Sequence, residues 1–152
     1  MPDLPHANRL RAGRYSQSGR IYLLTAVTRN REPLFAHWPT GRVLIRQFQQ
    51  AHTEDLVDSL AWVVMPDHFH WLVELKHSTL PALMLATKSR SARAINTYLG
   101  RTGSVWQKGF HDRAIRYEED LLAAARYVVA NPIRAGLVRR VHDYPLWDAK
   151  WV

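Results

Sequence analysis

Asp67-His68-Phe69-His70-Trp71 sets two histidines two residues apart. Strand side chains alternate between faces, so both imidazoles would project to one side. Two neutral imidazoles on one face make half a metal site. Mg²⁺ or Mn²⁺ held there would keep coordination positions open for phosphate oxygens and water, and would polarise a phosphodiester while offsetting charge on its leaving oxygen. The plainer alternative is a pair of half-exposed strand histidines, one of them closing a hydrogen bond in the core.

A nucleophile and a third ligand are offered further along. On a helical wheel Leu121, Leu122, Ala125, Val128 and Val129 form an apolar stripe, and Tyr127 falls about 160° from its centre, among Ala123, Ala124 and Ala130. Core packing is the usual role of a helical tyrosine. One that stands off the packing stripe is open to chemistry. A phenol ionises near pH ~10, so it attacks phosphorus only when a neighbouring group or a metal helps remove its proton. Asn131 lies four residues on, one turn later on the same face of a continuing helix, where its amide oxygen would join the two imidazoles. Pro132 argues against this, because the residue before a proline is biased away from the α region. The local sequence therefore predicts a helix that ends at Asn131-Pro132, with the amide satisfying backbone groups.

The elements that must position these groups can be read from pattern. Ser16-Gln17-Ser18-Gly19 is a turn signal before the β-rich run Ile21–Thr28, and a helix is expected over about 40–52. The apolar runs Leu56–Met65 and His68–Leu75, separated by Pro66-Asp67, predict a hairpin. A second helix should start near Ser78/Thr79 and stop at Gly100, residues 110–117 alternate as a fourth strand, and Glu118-Glu119-Asp120 places acid on the N-terminus of a third helix. Strand, helix, strand, strand, helix, strand is the order of the ferredoxin-like, split βαβ arrangement. The expectation is an α+β fold: a four-stranded antiparallel sheet with two covering helices, plus a C-terminal helix carrying Tyr127. Residues 1–152 read as a single domain, with 1–18 a basic arm expected to be mobile and 138–152 a C-terminal tail.

Charge indicates the partner. Lys and Arg outnumber Asp and Glu by 21 to 13, a formal charge of +8, which favours polyanions. Residues 1–50 carry eight basic and two acidic side chains, 51–80 one and five, and 81–152 twelve and six. Arg11 and Arg14, beside Tyr15 in the arm, are candidates for gripping single strands, and Lys88, Arg90 and Arg93 on the second helix for holding a phosphate backbone. Ordinary solvated surfaces would look the same. The absence of cysteine excludes disulfides, thiolate metal sites and thiol nucleophiles. The N-terminal residues lack the apolar stretch of a signal peptide, and the apolar run from Leu60 to Pro66 is too short to span a bilayer. A cytoplasmic protein without membrane contact is expected.

Three blocks carry a resemblance. Met65-Pro66-Asp67-His68-Phe69-His70-Trp71-Leu72-Val73, Val105–Arg113 (VWQKGFHDR) and Arg126–Val138 (RYVVANPIRAGLV) resemble, in order, signature blocks of the REP-associated tyrosine transposases, single-tyrosine HUH-type enzymes. The likeness extends from about Gly19 to Trp147. It implies a metal-dependent single-strand DNA endonuclease and strand transferase. His68, His70 and Asn131 would hold Mg²⁺ or Mn²⁺, and Tyr127 would form a 5′-phosphotyrosine link that another 3′-OH reverses. The implied substrate is a hairpin of a repetitive extragenic palindrome, cut beside a short tetranucleotide. No nucleotide cofactor is implied, because the phosphotyrosine bond conserves the phosphodiester energy. Phe69 is the hydrophobic residue usual between the histidines. Asp67 departs from the pattern, standing where an uncharged Asn is common.

Two rivals remain at this level. A non-catalytic ferredoxin-like nucleic-acid binding module predicts exposed aromatics on an open sheet face. A hydrolase with His52, His77 or His111 completing a zinc site predicts an activated water. The sequence allows a monomer or a homodimer, with Tyr127 acting in its own chain or in a partner.

Overall fold

The computed structural model describes residues 19–150; the arm with Arg11, Arg14 and Tyr15 lies outside them. Strand β1 (Ile21–Val27) leads through two 3-10 turns to helix α1 (Trp38–Thr53), then β2 (Val57–Met65) and β3 (His68–Leu75). Helix α2 (Leu80–Leu99), β4 (His111–Ile115), α3 (Glu118–Arg134) and β5 (Trp147–Ala149) follow. The sheet order is β4-β1-β3-β2-β5, with every neighbouring pair antiparallel. Among the described residues, no helix is long and apolar enough to cross a membrane.

Local signals explain the boundaries. Pro66-Asp67 closes the β2–β3 hairpin, pairing Met65 with His68. Thr79 caps α2, its Oγ1 accepting from the Ala82 N–H at 3.2 Å, and Gly100 ends it at φ 67° in the left-handed conformation that glycine adopts without strain. Helix α1 starts two residues before the expected 40, with Pro39 in its first turn, where the missing N–H costs nothing.

The sheet has five strands where four were expected, and the fifth comes from the presumed tail. Within 138–152, Tyr144 and Leu146 are buried and the Tyr144 hydroxyl donates to the Val64 carbonyl. A Cβ at Gly41 would come within 2.5 Å of Leu146 Cδ1, so α1 has a glycine where this segment crosses it.

One face of β3 supplies the core and the other the site. Phe69 and Trp71 point toward α1, where Phe48 packs at 5.0 Å and 4.5 Å from their ring centroids, and Trp106 meets Phe69 edge-on at 5.4 Å. The residue between the two histidines is thus pinned into the core on the opposite side of the sheet, a burial worth roughly 1.5–3 kcal/mol. That anchor fixes the strand segment from which both imidazoles project.

Helix α3 continues through Pro132 to Arg134, past the end expected from Asn131-Pro132. In the last turn a proline deprives only the Val128 carbonyl of its donor. The Pro132 ring is buried, and that packing offsets the loss. The buried arc is Ala124, Ala125, Val128 and Pro132, whereas Leu122 is 39% exposed. Relative to the expected stripe, the helix is rotated so that Tyr127 and Asn131 border the buried face instead of opposing it.

Candidate active site

His68 and His70 share the face of the sheet that α3 covers, their ring centroids 5.0 Å apart. Each is held through Nδ1. His70 Nδ1 lies 2.7 Å from Oγ1 of Thr25, its register partner on β1. His68 Nδ1 donates to Asp67 Oδ1 at 2.7 Å, and Asp67 Oδ2 accepts from Arg31 Nη1 at 3.1 Å. Occupying Nδ1 fixes ring orientation and leaves Nε2 as the atom that could hold a metal, the usual arrangement behind metal-bound histidines. For Asp67, burial alone would raise the pKa. The hydrogen bonds from His68 and Arg31 outweigh it and hold the carboxyl below its ordinary value. The extra charge of this residue is thereby neutralised locally.

Burial pushes the His70 imidazole down to about 4, helped by the charges of His68 and Arg134. It is therefore neutral, as a ligand must be, across the physiological range. A stability effect follows. In the unfolded chain this histidine regains its ordinary value of 6.5, so between 6.5 and about 4 the unfolded state binds a proton that the fold refuses. Stability present above pH 6.5 is lost progressively down to about 4, by at most about 3 kcal/mol. Denaturant melts at pH 7, 5.5 and 4 should show this slope, and His70→Gln should flatten it.

Tyr127 is 45% exposed, and its ring meets that of His70 at 5.4 Å between centroids, inclined by 68°. Histidine and tyrosine are juxtaposed within one chain. Arg134, seven residues on, places its Cζ 4.1 Å from the Tyr127 ring centroid and donates from Nη2 to the Tyr127 carbonyl at 2.7 Å. The guanidinium thus braces both the ring and the backbone that carries it.

Asn131 sits one turn beyond Tyr127, half-buried. Its Nδ2 is buried with no hydrogen-bond partner among the described residues. Rotating the amide by half a turn exchanges its nitrogen and oxygen, so an Oδ1 can occupy that dry position at no steric cost. An orphaned buried amide one turn after Tyr127, whose ring meets His70, would add an oxygen to two imidazole nitrogens, a donor set that would suit a divalent cation with positions left for phosphate and water. No cluster of three His, Cys, Asp or Glu suited to a metal occurs among the described residues. His52 lies by Asp58 and His77 by Asp55, and His111 stands two strands from His70 in the same cross-strand row, so among the described residues none of the three closes a metal cluster with the pair.

The other basic candidates fare differently. Lys88 donates to the carbonyls of Gln107 and Gly109 at 2.9 and 2.6 Å, and burial lowers its pKa. Arg90 pairs with Glu54 at 3.2 Å, and Arg93 is exposed on α2. The Lys88 contacts explain the second sequence block. With the Trp106 Nε1–Ser91 hydrogen bond (3.0 Å) and the Gln107 N–H donating to Val27 (2.8 Å), they strap residues 105–109 to the core and deliver β4 beside β1.

Thr25 and Arg134 were not singled out by sequence reasoning. Strand register, which one sequence does not fix, is what reveals Thr25. Arg134 stands at i+7 from Tyr127, a spacing that returns to the same helix face and was available as a signal.

The sheet thus carries paired histidines on one face, opposed by a helix bearing a tyrosine, and comparison with known proteins supplies the class. The family model described as Transposase IS200 like matches residues 16–131, and the chain belongs to that family. Within it, the chain is similar to REP-associated tyrosine transposases. The chain is 29% identical over 85 residues to the Escherichia coli (strain K12) REP-associated tyrosine transposase, covering 56% of this chain and 50% of that one. The match thus spans half the length of that relative. A Haemophilus influenzae protein described under the same name is 25% identical over 142 residues, covering 84% and 78%. A solved REP-associated tyrosine transposase bound to a REP hairpin superposes with TM-score 0.70 at 24% identity, over 88% of this chain and 78% of that one. A transposase-like structure from Deinococcus radiodurans gives 0.51 at 19% identity, over 71% and 87%.

Proposed function

We propose that this chain is a transposase that nicks and joins hairpin-forming single-stranded DNA of the repetitive extragenic palindrome type, using Tyr127 as nucleophile. The observation that carries this is the Tyr127 ring packed on His70, with Asn131 one turn away and both histidines braced through Nδ1. The strand order β4-β1-β3-β2 supports reading the scaffold as ferredoxin-like, with β5 an added edge. The likeness to a transposase bound to a REP hairpin motivates the choice of substrate.

In the proposed reaction the Tyr127 oxygen attacks the scissile phosphorus. The Tyr O–P bond forms, the P–O3′ bond breaks, the phenolic proton is lost and the departing 3′ oxygen gains one. Attack by another 3′-OH reverses the step and joins strands, so no nucleotide is consumed. Mg²⁺ or Mn²⁺ on His68, His70 and Asn131 would supply Lewis-acid stabilisation of the phosphate charge. The chain itself orients the phenol: His70 sets one edge of the ring, and Arg134 covers its face and places a positive charge beside the phosphate's position.

A binding module without chemistry would carry exposed aromatics on its open sheet face, yet α3 covers β2 and β3, and the strand residues left open beside it include Leu23, Thr25, His111 and Arg113, none of them Phe, Trp or Tyr. The deciding experiment incubates a 5′- or 3′-labelled hairpin with the protein and Mg²⁺ and looks for a covalent adduct mapped by peptide sequencing to Tyr127. Adduct that disappears in EDTA is expected. Cleavage giving free 5′-phosphate ends and no adduct would assign a water nucleophile and overturn the reading.

A further inference from the structure

An open cleft of about 830 Å³ runs from His70 and Tyr127 across β1 to β4 and the start of α3. We propose that this cleft is the channel for the single-stranded nucleotides that flank the scissile phosphate on one side, with Arg113 and Arg116 holding phosphates and Tyr117 stacking on a base. The proposal rests on the function proposed above and adds where the flanking strand runs.

Register fixes the floor of the channel. His70, Thr25 and His111 form one cross-strand row, and Leu72, Leu23 and Arg113 the next, so His111 and Arg113 share the face of His70 two strands away, about 10 Å at the usual strand spacing. Arg113 is exposed and Arg116 half-exposed, and neither guanidinium has an ion-pair or hydrogen-bond partner among the described residues. By contrast Arg31, Arg90, Arg101 and Arg140 are spent on carboxylates. Strand β4 pairs only with β1, so among the described residues its outer backbone edge is also free to meet phosphate oxygens.

The far end is aromatic. Tyr117, 46% exposed, precedes α3 in extended conformation and lines the cleft, its carbonyl accepting from the Leu121 N–H while its ring and hydroxyl have no partner among the described residues. A base reaches that ring only when unstacked from its own strand, which selects single-stranded over duplex DNA. Two carboxylates also line the cleft, Asp120 on the first turn of α3 and Asp112 on β4, the latter alternating to the strand face opposite His111 and Arg113. The volume lies in the range that takes a drug-sized ligand, and a nucleotide is of that size.

The test measures binding in EDTA, so chemistry plays no part. Hairpins carrying 0, 2, 4 or 6 unpaired nucleotides on either flank are titrated by fluorescence anisotropy at several salt concentrations. Lengthening one flank should tighten binding by the wild-type chain. Arg113→Gln/Arg116→Gln should lose that gain and lower the salt slope by about 1.4, at ~0.7 per single-strand contact. Tyr117→Ala should cost about 10-fold on the flanked hairpin while Tyr117→Phe keeps wild-type affinity. Stem-only hairpins should bind all variants as they bind wild type. The inference is overturned if neither flank tightens binding, if the variants bind flanked DNA like wild type or weaken flanked and stem-only DNA equally, or if a free mononucleotide displaces the flanked strand. A wild-type Tyr127 adduct alongside any of these outcomes would leave the proposed function standing. No adduct under any condition would instead remove that function while the binding data still judged the channel.

Discussion

Tyr127→Phe is expected to abolish covalent adduct and strand joining, by at least ~10³-fold, while hairpin binding stays within a few-fold of wild type. Phenylalanine keeps the edge-on contact with His70 and the Arg134 stack, both of which involve the ring alone. The hydroxyl has no hydrogen-bond partner among the described residues, so its removal should change folding stability by no more than about 0.5 kcal/mol. Tyr117, the other phenol of the cleft, has no ring contact with either histidine and is not placed to substitute. A denaturing gel with end-labelled hairpin and Mg²⁺ reads the first effect and a mobility shift in EDTA the second. Adduct at wild-type yield in Tyr127→Phe would sink the nucleophile assignment whatever the binding result.

Legibility followed the range of the interactions involved. Alternation on one strand suffices to put His68 and His70 on one face, and turn chemistry at Pro66-Asp67 suffices to place them at the hairpin end, so both were readable. The Thr79 cap and the Gly100 stop are equally local. Thr25 was not readable, because it meets His70 only through the β1–β3 register, 45 residues apart in sequence. β5 was hidden for a similar reason. Three residues, Trp147–Ala149, carry no strand signal of their own and gain order from pairing with Ala61–Val63 and from the burial of Leu146 against Gly41. Tyr127 was expected to oppose the apolar stripe and instead borders the buried face, because the stripe was misplaced: Leu122 is as apolar as Leu121 and only packing tells which of them is covered.

Helix α3 combines what would otherwise be separate tasks. Ala124 and Val128 dock it on the sheet, Tyr127 and Asn131 border that docked face, and Arg134 returns one further turn along to brace the phenol. Rigid attachment of the proposed nucleophile to a packed helix limits the geometries it samples, as in-line attack on phosphorus would require. The continuation of the helix through Pro132 is the local conflict on which this depends. Had the chain obeyed the proline preference at Asn131, its amide would have left the face it shares with Tyr127.

Asn131→Leu separates a ligand from a structural residue by moving activity and stability in opposite directions. A buried polar atom with no partner costs about 1–3 kcal/mol, and an apolar side chain of similar size removes that cost. If the amide is kept for a cation, the metal-free variant should be as stable as wild type or more so, by up to about 1 kcal/mol in urea melts. Leucine also propagates a helix better than asparagine, which adds a few tenths of a kcal/mol in the same direction. The Mg²⁺-dependent adduct rate should fall at least ~100-fold, because two imidazoles alone hold a hard cation poorly. Asn131→Asp should recover part of that rate, since a carboxylate supplies the oxygen without needing a particular amide orientation. A helix-capping asparagine behaves the other way: its loss would destabilise the metal-free fold and leave the adduct rate per folded molecule unchanged. Melts and single-turnover assays on the same protein preparation therefore decide between a third ligand and a helix terminus.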